Sequence, residues 1–207
     1  MPMSQTRLFT PTEAAVLTRL PLKAVNNAID RNTVAAVAGR QAGRATRLLD
    51  LRALLSLTME NWLADRFVLE FRQEVFEAIA RAPRHKLSLD GGFLTIDLSQ
   101  PRRELATALR ALRRVRDLVV RDPDIMGGDP VFRGTRVPVH AVAAQLAQGA
   151  SAIDVLEGYP RLTAEMVRLA PLYAAAYPLR GRPRTQPWRD RPPTDSSRRT
   201  LATLEAG

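Results

Sequence analysis

The first ordered pattern begins at Thr10, where Thr10-Pro11-Thr12-Glu13 leads into Ala14-Ala15-Val16-Leu17. A capping threonine, a proline just inside and a carboxylate three residues after the cap satisfy the free amide donors of a helix start, so a short first helix is predicted. Pro21 cannot continue it and opens a second helix over 22–31. There Leu22, Val25 and Ile29 share one face, and Lys23, Asn26, Asn27 and Asp30 share the other. Val34 to Ala38 reads as a strand, Gly39 to Gly43 as a turn rich in donors, and Thr46 to Leu49 as the returning strand.

Between 51 and 82 the apolar residues return to helical spacing, most cleanly at Leu63, Phe67, Phe71, Val75 and Ile79. Such a stripe is core or a dimer seam. Residues 87–98 alternate across Asp90-Gly91, a hairpin signal. A helix of roughly 102–120 then buries Leu105, Leu109, Leu112 and Val119 and exposes Arg102, Arg103, Arg110, Arg113 and Arg114. Beyond it Gly127, Gly128 and Gly134 permit turns, 131–139 reads as an extended arm, and helices follow at 140–147, 152–157 and 163–176. Ser151 and Thr163 are N-cap types, and Gly149 and Gly158 lie where helices stop.

Charge changes this picture in two ways. Among 31 cations only Lys23 and Lys86 are lysines, so the net charge of +10 is carried by planar guanidinium forks suited to phosphate, carboxylate or guanine edges. A GC-rich genome would produce the same bias. The excess is also uneven: +5 over 1–57, +2 over 58–120, −1 over 121–179 and +4 over 180–207. Polyanion binding therefore belongs to the first segment and the tail rather than to the third. The tail has no apolar periodicity before Leu201 and Leu204, cannot repay its ordering entropy alone, and is expected to be disordered in the free protein.

The expected fold is mainly α with short β-hairpins. Residues 1–57 form a winged helix-turn-helix, 58–120 a helix-hairpin-helix scaffold with a dimerisation role, 121–179 a three-helix, helix-turn-helix-like domain behind its arm, and 180–207 a basic tail. Thr12-Glu13-Ala14-Ala15 through Ile29 resembles the helix-turn-helix of MerR and excisionase-like regulators, with Arg40 and Arg44 where such folds carry the wing. The DNA-binding set on this reading is Lys23, Asn26, Asn27, Arg31, Arg40, Arg44 and Arg47. The amides suit adenine N6 and N7, Lys23 suits guanine or phosphate, and the hairpin arginines suit the backbone or minor groove.

The third segment is similar to domain-of-unknown-function family 433. The match rests on Gly127-Gly128-x-Pro130, Gly134-Thr135-Arg136, Gly149 and Tyr159-Pro160-x-Leu162-Thr163. That resemblance implies a small helix-turn-helix-like domain of the kind found in VapB-type antitoxins encoded beside a PIN-like ribonuclease toxin. The basic tail departs from that family's pattern, and its own composition makes it, together with the face of the third segment, the expected toxin-binding segment, through Arg182, Arg184, Trp188, Arg189, Arg191, Leu201 and Leu204, with arginines for an acidic centre and apolar residues as anchors.

Enzyme chemistry has little to draw on. With no cysteine there is no disulfide, thiolate nucleophile or Cys-based zinc site. His85 and His140 are isolated. Asp122, Asp124 and Asp129 lack the alternation and terminal Glu of a calcium loop, and Gly127-Gly128 has no following Lys-Ser/Thr. No catalytic residue, metal or cofactor is expected. The sequence also has no basic leader with an apolar core and no apolar run of membrane-spanning length, so a cytoplasmic protein without a membrane role is expected. The expected function is an antitoxin that neutralises a PIN-like toxin and binds operator DNA as a homodimer to regulate its own operon. The alternatives are a stand-alone MerR-like or excisionase-like regulator and a protein-interaction adaptor that binds no DNA.

Overall fold

Thr10 is extended, and its hydroxyl accepts from the Glu13 amide at 3.3 Å while its own amide donates to Glu13 Oε2 at 2.9 Å. This capping box starts α1 (Pro11–Thr18) at the residue the sequence predicts. The computed structural model describes residues 7–41, 44–81 and 85–179. Arg19, left-handed at φ 59°, ends α1, and Pro21 leads into α2 (Leu22–Asp30). Val25 and Ile29 are buried in α2 as expected, but Leu22 is 42% exposed. The buried stripe of so short a helix spans only one turn, and Leu22 lies a turn before it.

The first strand of the hairpin starts three residues later than its sequence suggests and the returning strand two residues earlier. β1 (Val37–Gln41) pairs antiparallel with β2 (Arg44–Leu48), in the register Val37 with Leu48 and Gly39 with Thr46. Gly39 is therefore a strand glycine and not a turn glycine. A Cβ there would run into the Leu48 side chain, which would have to shift to admit one. Val34, expected to begin the strand, is buried in the loop before it.

The stripe expected to continue from Leu63 to Ile79 is broken. α3 (Leu51–Leu63), capped by Asp50 through the Ala53 amide at 2.8 Å, ends where α4 (Leu69–Arg81) folds back against it. Leu63, Val75 and Ile79 join the core, as does Phe76, which is off the stripe. Phe67 lies in the connection, 44% exposed and stacked on Phe71 at 4.7 Å. Arg72 reaches back to Glu60 across the turn. β3 (Lys86–Leu89) and β4 (Leu94–Asp97) form the expected hairpin around Asp90-Gly91.

Helix α5 (Ser99–Leu118) is the longest element and buries Leu105, Leu112 and Val115, with Leu109 half-buried. Val119, expected inside the helix, is buried at the start of β5 (Val119–Val120). β5 pairs with β6 (Val131–Phe132). The arm after it is folded: Val131 bridges to Pro138, Thr135 Oγ1 donates to the Phe132 carbonyl at 2.9 Å, and Gly134 takes φ 77° at the bend. Local side-chain to backbone bonds thus close the segment into a tight loop. α6 (Val139–Ala147), α7 (Ala152–Gly158) and α8 (Ala164–Ala176) follow, the last two capped by Ser151 and Thr163.

A continuous buried cluster runs from Phe9 to Ala176. Helix α8 packs on α6 and α7 and also on α5 and α1, so the last helix of the third segment touches the first helix of the chain.

Candidate nucleic-acid interface and the junction behind it

Lys23, Asn27 and Asp30 are exposed and Asn26 half-buried along the outer face of α2, with Arg31 exposed at its C-terminal cap. Arg47 on β2 links the hairpin to this face. Its guanidinium pairs with Asp30 and lies 3.5 Å from Asn26 Oδ1. Arg40 and Arg47 fall on the same side of the ribbon, because Arg40 is opposite Ala45, Arg47 is opposite Ala38, and alternate residues share a face. Arg40 is exposed and two residues nearer the hairpin tip than the pair Ala38–Arg47. The fold thus gathers Lys23, Asn26, Asn27, Arg31, Arg40 and Arg47 around one helix and one ribbon. Arg44 opens β2, but its side chain lies outside the described residues. The tail residues Arg182, Arg184, Trp188, Arg189, Arg191, Leu201 and Leu204 also lie outside them.

The Asp30–Arg47 pair was not visible in the sequence, where Asp30 read simply as one more polar residue on the outer face. Both side chains are substantially exposed, 60% and 44%, so the pair is worth little as stability. It marks where the ribbon lies beside the helix.

On the opposite flank of α1 lies a second group that sequence reasoning missed. Glu13 is a buried carboxylate whose Oε2 completes the capping box. Its Oε1 receives the Arg116 guanidinium from α5 and the Tyr177 hydroxyl, the latter at 2.6 Å, from just beyond α8. Arg116 Nε also donates to the Tyr177 oxygen, and its guanidinium lies over the Tyr177 ring. Burial, then the Glu13 hydrogen bond, push the Tyr177 phenol well above its ordinary value, so it remains a neutral donor. Burial works against the Arg116 charge, yet the Tyr177 and Glu13 contacts outweigh it and hold Arg116 above its ordinary value. The carboxylate is thereby paired and hydrogen-bonded, as a buried charge must be. A cleft of about 880 Å³ opens beside the group, with Arg121, Asp129, Tyr173 and Leu179 among its walls. The capping signature at Glu13 was readable, but no local signal points to partners 103 and 164 residues away.

His140 does not stand apart either: its Nε2 is 2.8 Å from the Tyr177 carbonyl oxygen, and its ring meets Tyr173 edge-on. Asp122 accepts from the Asp124 amide at 3.0 Å, an ordinary turn contact. No group of His, Asp or Glu with metal-holding geometry occurs among the described residues.

Residues 119–174 match the family model described as "Protein of unknown function (DUF433)". Over 186 residues, 84% of this chain and 83% of the relative, the sequence is 40% identical to "Uncharacterized protein y4eO" of Sinorhizobium fredii (strain NBRC 101917 / NGR234). The chain belongs to one family with this uncharacterized relative and carries a DUF433 domain over 119–174. Its DUF433 unit begins at β5 and reaches into α8, stopping three residues before Tyr177. Among solved structures, a DUF433 member protein from Anabaena variabilis ATCC 29413 is 31% identical, with a TM-score of 0.29, covering 39% of this chain and 79% of that one. Rv2018 from Mycobacterium tuberculosis is 16% identical, with a TM-score of 0.36, covering 78% of this chain and 95% of that one. The relative's coverage includes residues outside the DUF433 unit, so the relationship is not confined to the C-terminal segment. No helix among the described residues is long and apolar enough to cross a membrane.

Proposed function

We propose that this DUF433 protein is a DNA-binding antitoxin: α1, α2 and the β1–β2 ribbon act as a winged helix-turn-helix on operator DNA, and the C-terminal tail with the DUF433 unit holds a PIN-like ribonuclease toxin. The observation that carries the DNA part is the position of Arg47, which lies within reach of Asp30 and Asn26 so that a cationic ribbon runs beside the amide-bearing face of α2. In that arrangement α2 presents Asn26, Asn27 and Lys23 to base edges while Arg31, Arg40 and Arg44 meet phosphates, and Arg47 sits beside them paired with Asp30. The +5 charge of residues 1–57 supports the same assignment. The toxin part is supported by the arginine-rich composition of residues 180–207, with Trp188, Leu201 and Leu204 as apolar anchors. Two copies acting together would read two half-sites, and the protein works in the cytoplasm.

The DNA test is a titration of the full chain against DNA from upstream of its own reading frame, with a random duplex as competitor. Specific binding over random DNA is expected, with an affinity that falls steeply as salt rises. Equal affinity for both duplexes defeats the operator reading. For the toxin part, a PIN-like protein encoded beside the gene is expected to co-purify with the full chain and to lose that association in a Trp188→Ala variant. Retention in the variant, or no association at all, defeats the tail assignment.

A further inference from the structure

We infer that the Glu13–Arg116–Tyr177 junction is the joint through which the root of the C-terminal tail controls the first helix of the DNA-binding module. The regulatory consequence rests on the DNA reading above, whereas the mechanical joint does not. Tyr177 is held from two sides. Its carbonyl oxygen lies 2.8 Å from His140 Nε2 on α6, within the DUF433 unit, and its ring packs on Tyr173 of α8 with centroids 4.8 Å apart. Its hydroxyl instead reaches out of that unit to Glu13 of α1 and accepts from Arg116 of α5. Leu179, two residues on and the last described residue, lines the 880 Å³ cleft, and the segment proposed to hold the toxin follows it in sequence.

Glu13 is equally divided. One oxygen fixes the start of α1 and the other is committed to the junction, so displacement of Tyr177 removes a donor from a carboxylate that is buried and must be satisfied. The cheapest response is for α1 to move or fray at its N-terminal turn, and α1 packs directly on α2. A partner that draws residues 177–179 away from α1 would therefore loosen the support of the base-reading helix. By reciprocity, DNA that orders α1 and α2 favours the closed junction.

The test uses hydrogen exchange on the full chain with two conservative variants at opposite ends. Tyr177→Phe keeps the ring and removes the hydroxyl. Glu13→Gln keeps an acceptor for the Thr10 amide, as glutamine does in capping boxes, but opposes an amide to the junction donors. Amides of 14–18 are expected to exchange about tenfold or more faster in Tyr177→Phe, and those of 173–177 faster in Glu13→Gln, while α6 and α7 keep wild-type protection. Arg114→Gln is the control, because it breaks the exposed α5–α8 pair with Glu165 without touching α1. It should leave 14–18 unchanged.

Wild-type exchange of 14–18 in Tyr177→Phe overturns the joint, as does an equal rise in every helix. The DNA arm separates the two readings. If wild type shows no preference for its upstream DNA, the operator reading falls while exchange still decides the joint. If wild type binds and Tyr177→Phe binds equally despite faster exchange at 14–18, the junction is structural only and the regulatory inference is wrong. A severalfold weaker affinity in Tyr177→Phe supports it.

Discussion

Asp30 sits where a base-reading helix would otherwise present a negative charge to the phosphate backbone, and Arg47 answers it. Removing that carboxylate should free Arg47 for phosphate. In Asp30→Asn, binding to random duplex should strengthen, and the plot of log affinity against log salt should steepen by about 0.9. A slope equal to wild type would mean Arg47 reaches phosphate already or never does. Asn27 has a different signature, because an amide read out against adenine contributes to sequence discrimination and not to charge. Asn27→Ala should lose about 1–3 kcal/mol on the operator and almost nothing on random DNA, measured by competition titration. Equal losses on the two would take Asn27 out of base contact. At this scale the polar face of α2 was legible from spacing alone. The Asp30–Arg47 pair was not, since pairing across 17 residues depends on where the ribbon lands.

Elements were legible where local chemistry sets their limits. Thr10 with Glu13 and Ser151 with Asp154 fix the starts of α1 and α7 through bonds only three residues long. The strands were misplaced because Gly39 looks like turn punctuation, whereas its glycine character answers Leu48 on the partner strand. A double-mutant cycle tests that account. Gly39→Ala should destabilise the full chain by about 1 kcal/mol through forced displacement of Leu48. In a Leu48→Ala background the same change should be neutral or stabilising, because the clash is gone and a strand glycine is entropically costly. Urea unfolding giving identical costs in both backgrounds would refute it. The α7 cap carries a pH prediction. The Ser151 amide, donating at 2.9 Å, and then the Ser151 hydroxyl hold the Asp154 carboxyl below its ordinary 3.8. A lowered folded value means the cap's contribution is complete above 3.8 and is lost as pH falls through the folded value below it. Amides of 152–158 should thus lose protection in acid, and Asp154→Asn should abolish that acid step while keeping an acceptor. An NMR titration in which the variant shows the same step would assign it elsewhere.

For the whole molecule, the sequence separates four segments by charge and composition, but the core does not respect the divisions among the first three. Phe9, Leu54, Leu112, Phe132 and Val167 come from all three of these and are buried in the same cluster. Segment reading failed here for a physical reason: short helices such as α1 and α7 cannot bury a face on their own and must borrow it from distant elements. The same accounting narrows the dimer seam. Leu63, Val75 and Ile79 belong to the monomer core, so a second copy can use only what the α3–α4 turn leaves outside. That remainder is Trp62 near the end of α3 and, after four intervening residues, Phe67, Val68 and Leu69 leading into α4, all substantially exposed. Clustered apolar side chains of this size on a turn are more than scattered surface residues require, and a two-fold pair of the same patch would cover them. The full chain should therefore sediment as a dimer at micromolar concentration, and Phe67→Glu should sediment as a monomer. Because Phe67 lies outside the core, the variant's unfolding free energy extrapolated to low protein concentration should match wild type to within about 0.5 kcal/mol. A monomeric wild type would remove the dimer from the model of operator binding. A dimeric Phe67→Glu would place the seam on another face, with Leu8, Leu22 and Leu51 the next exposed apolar residues to change.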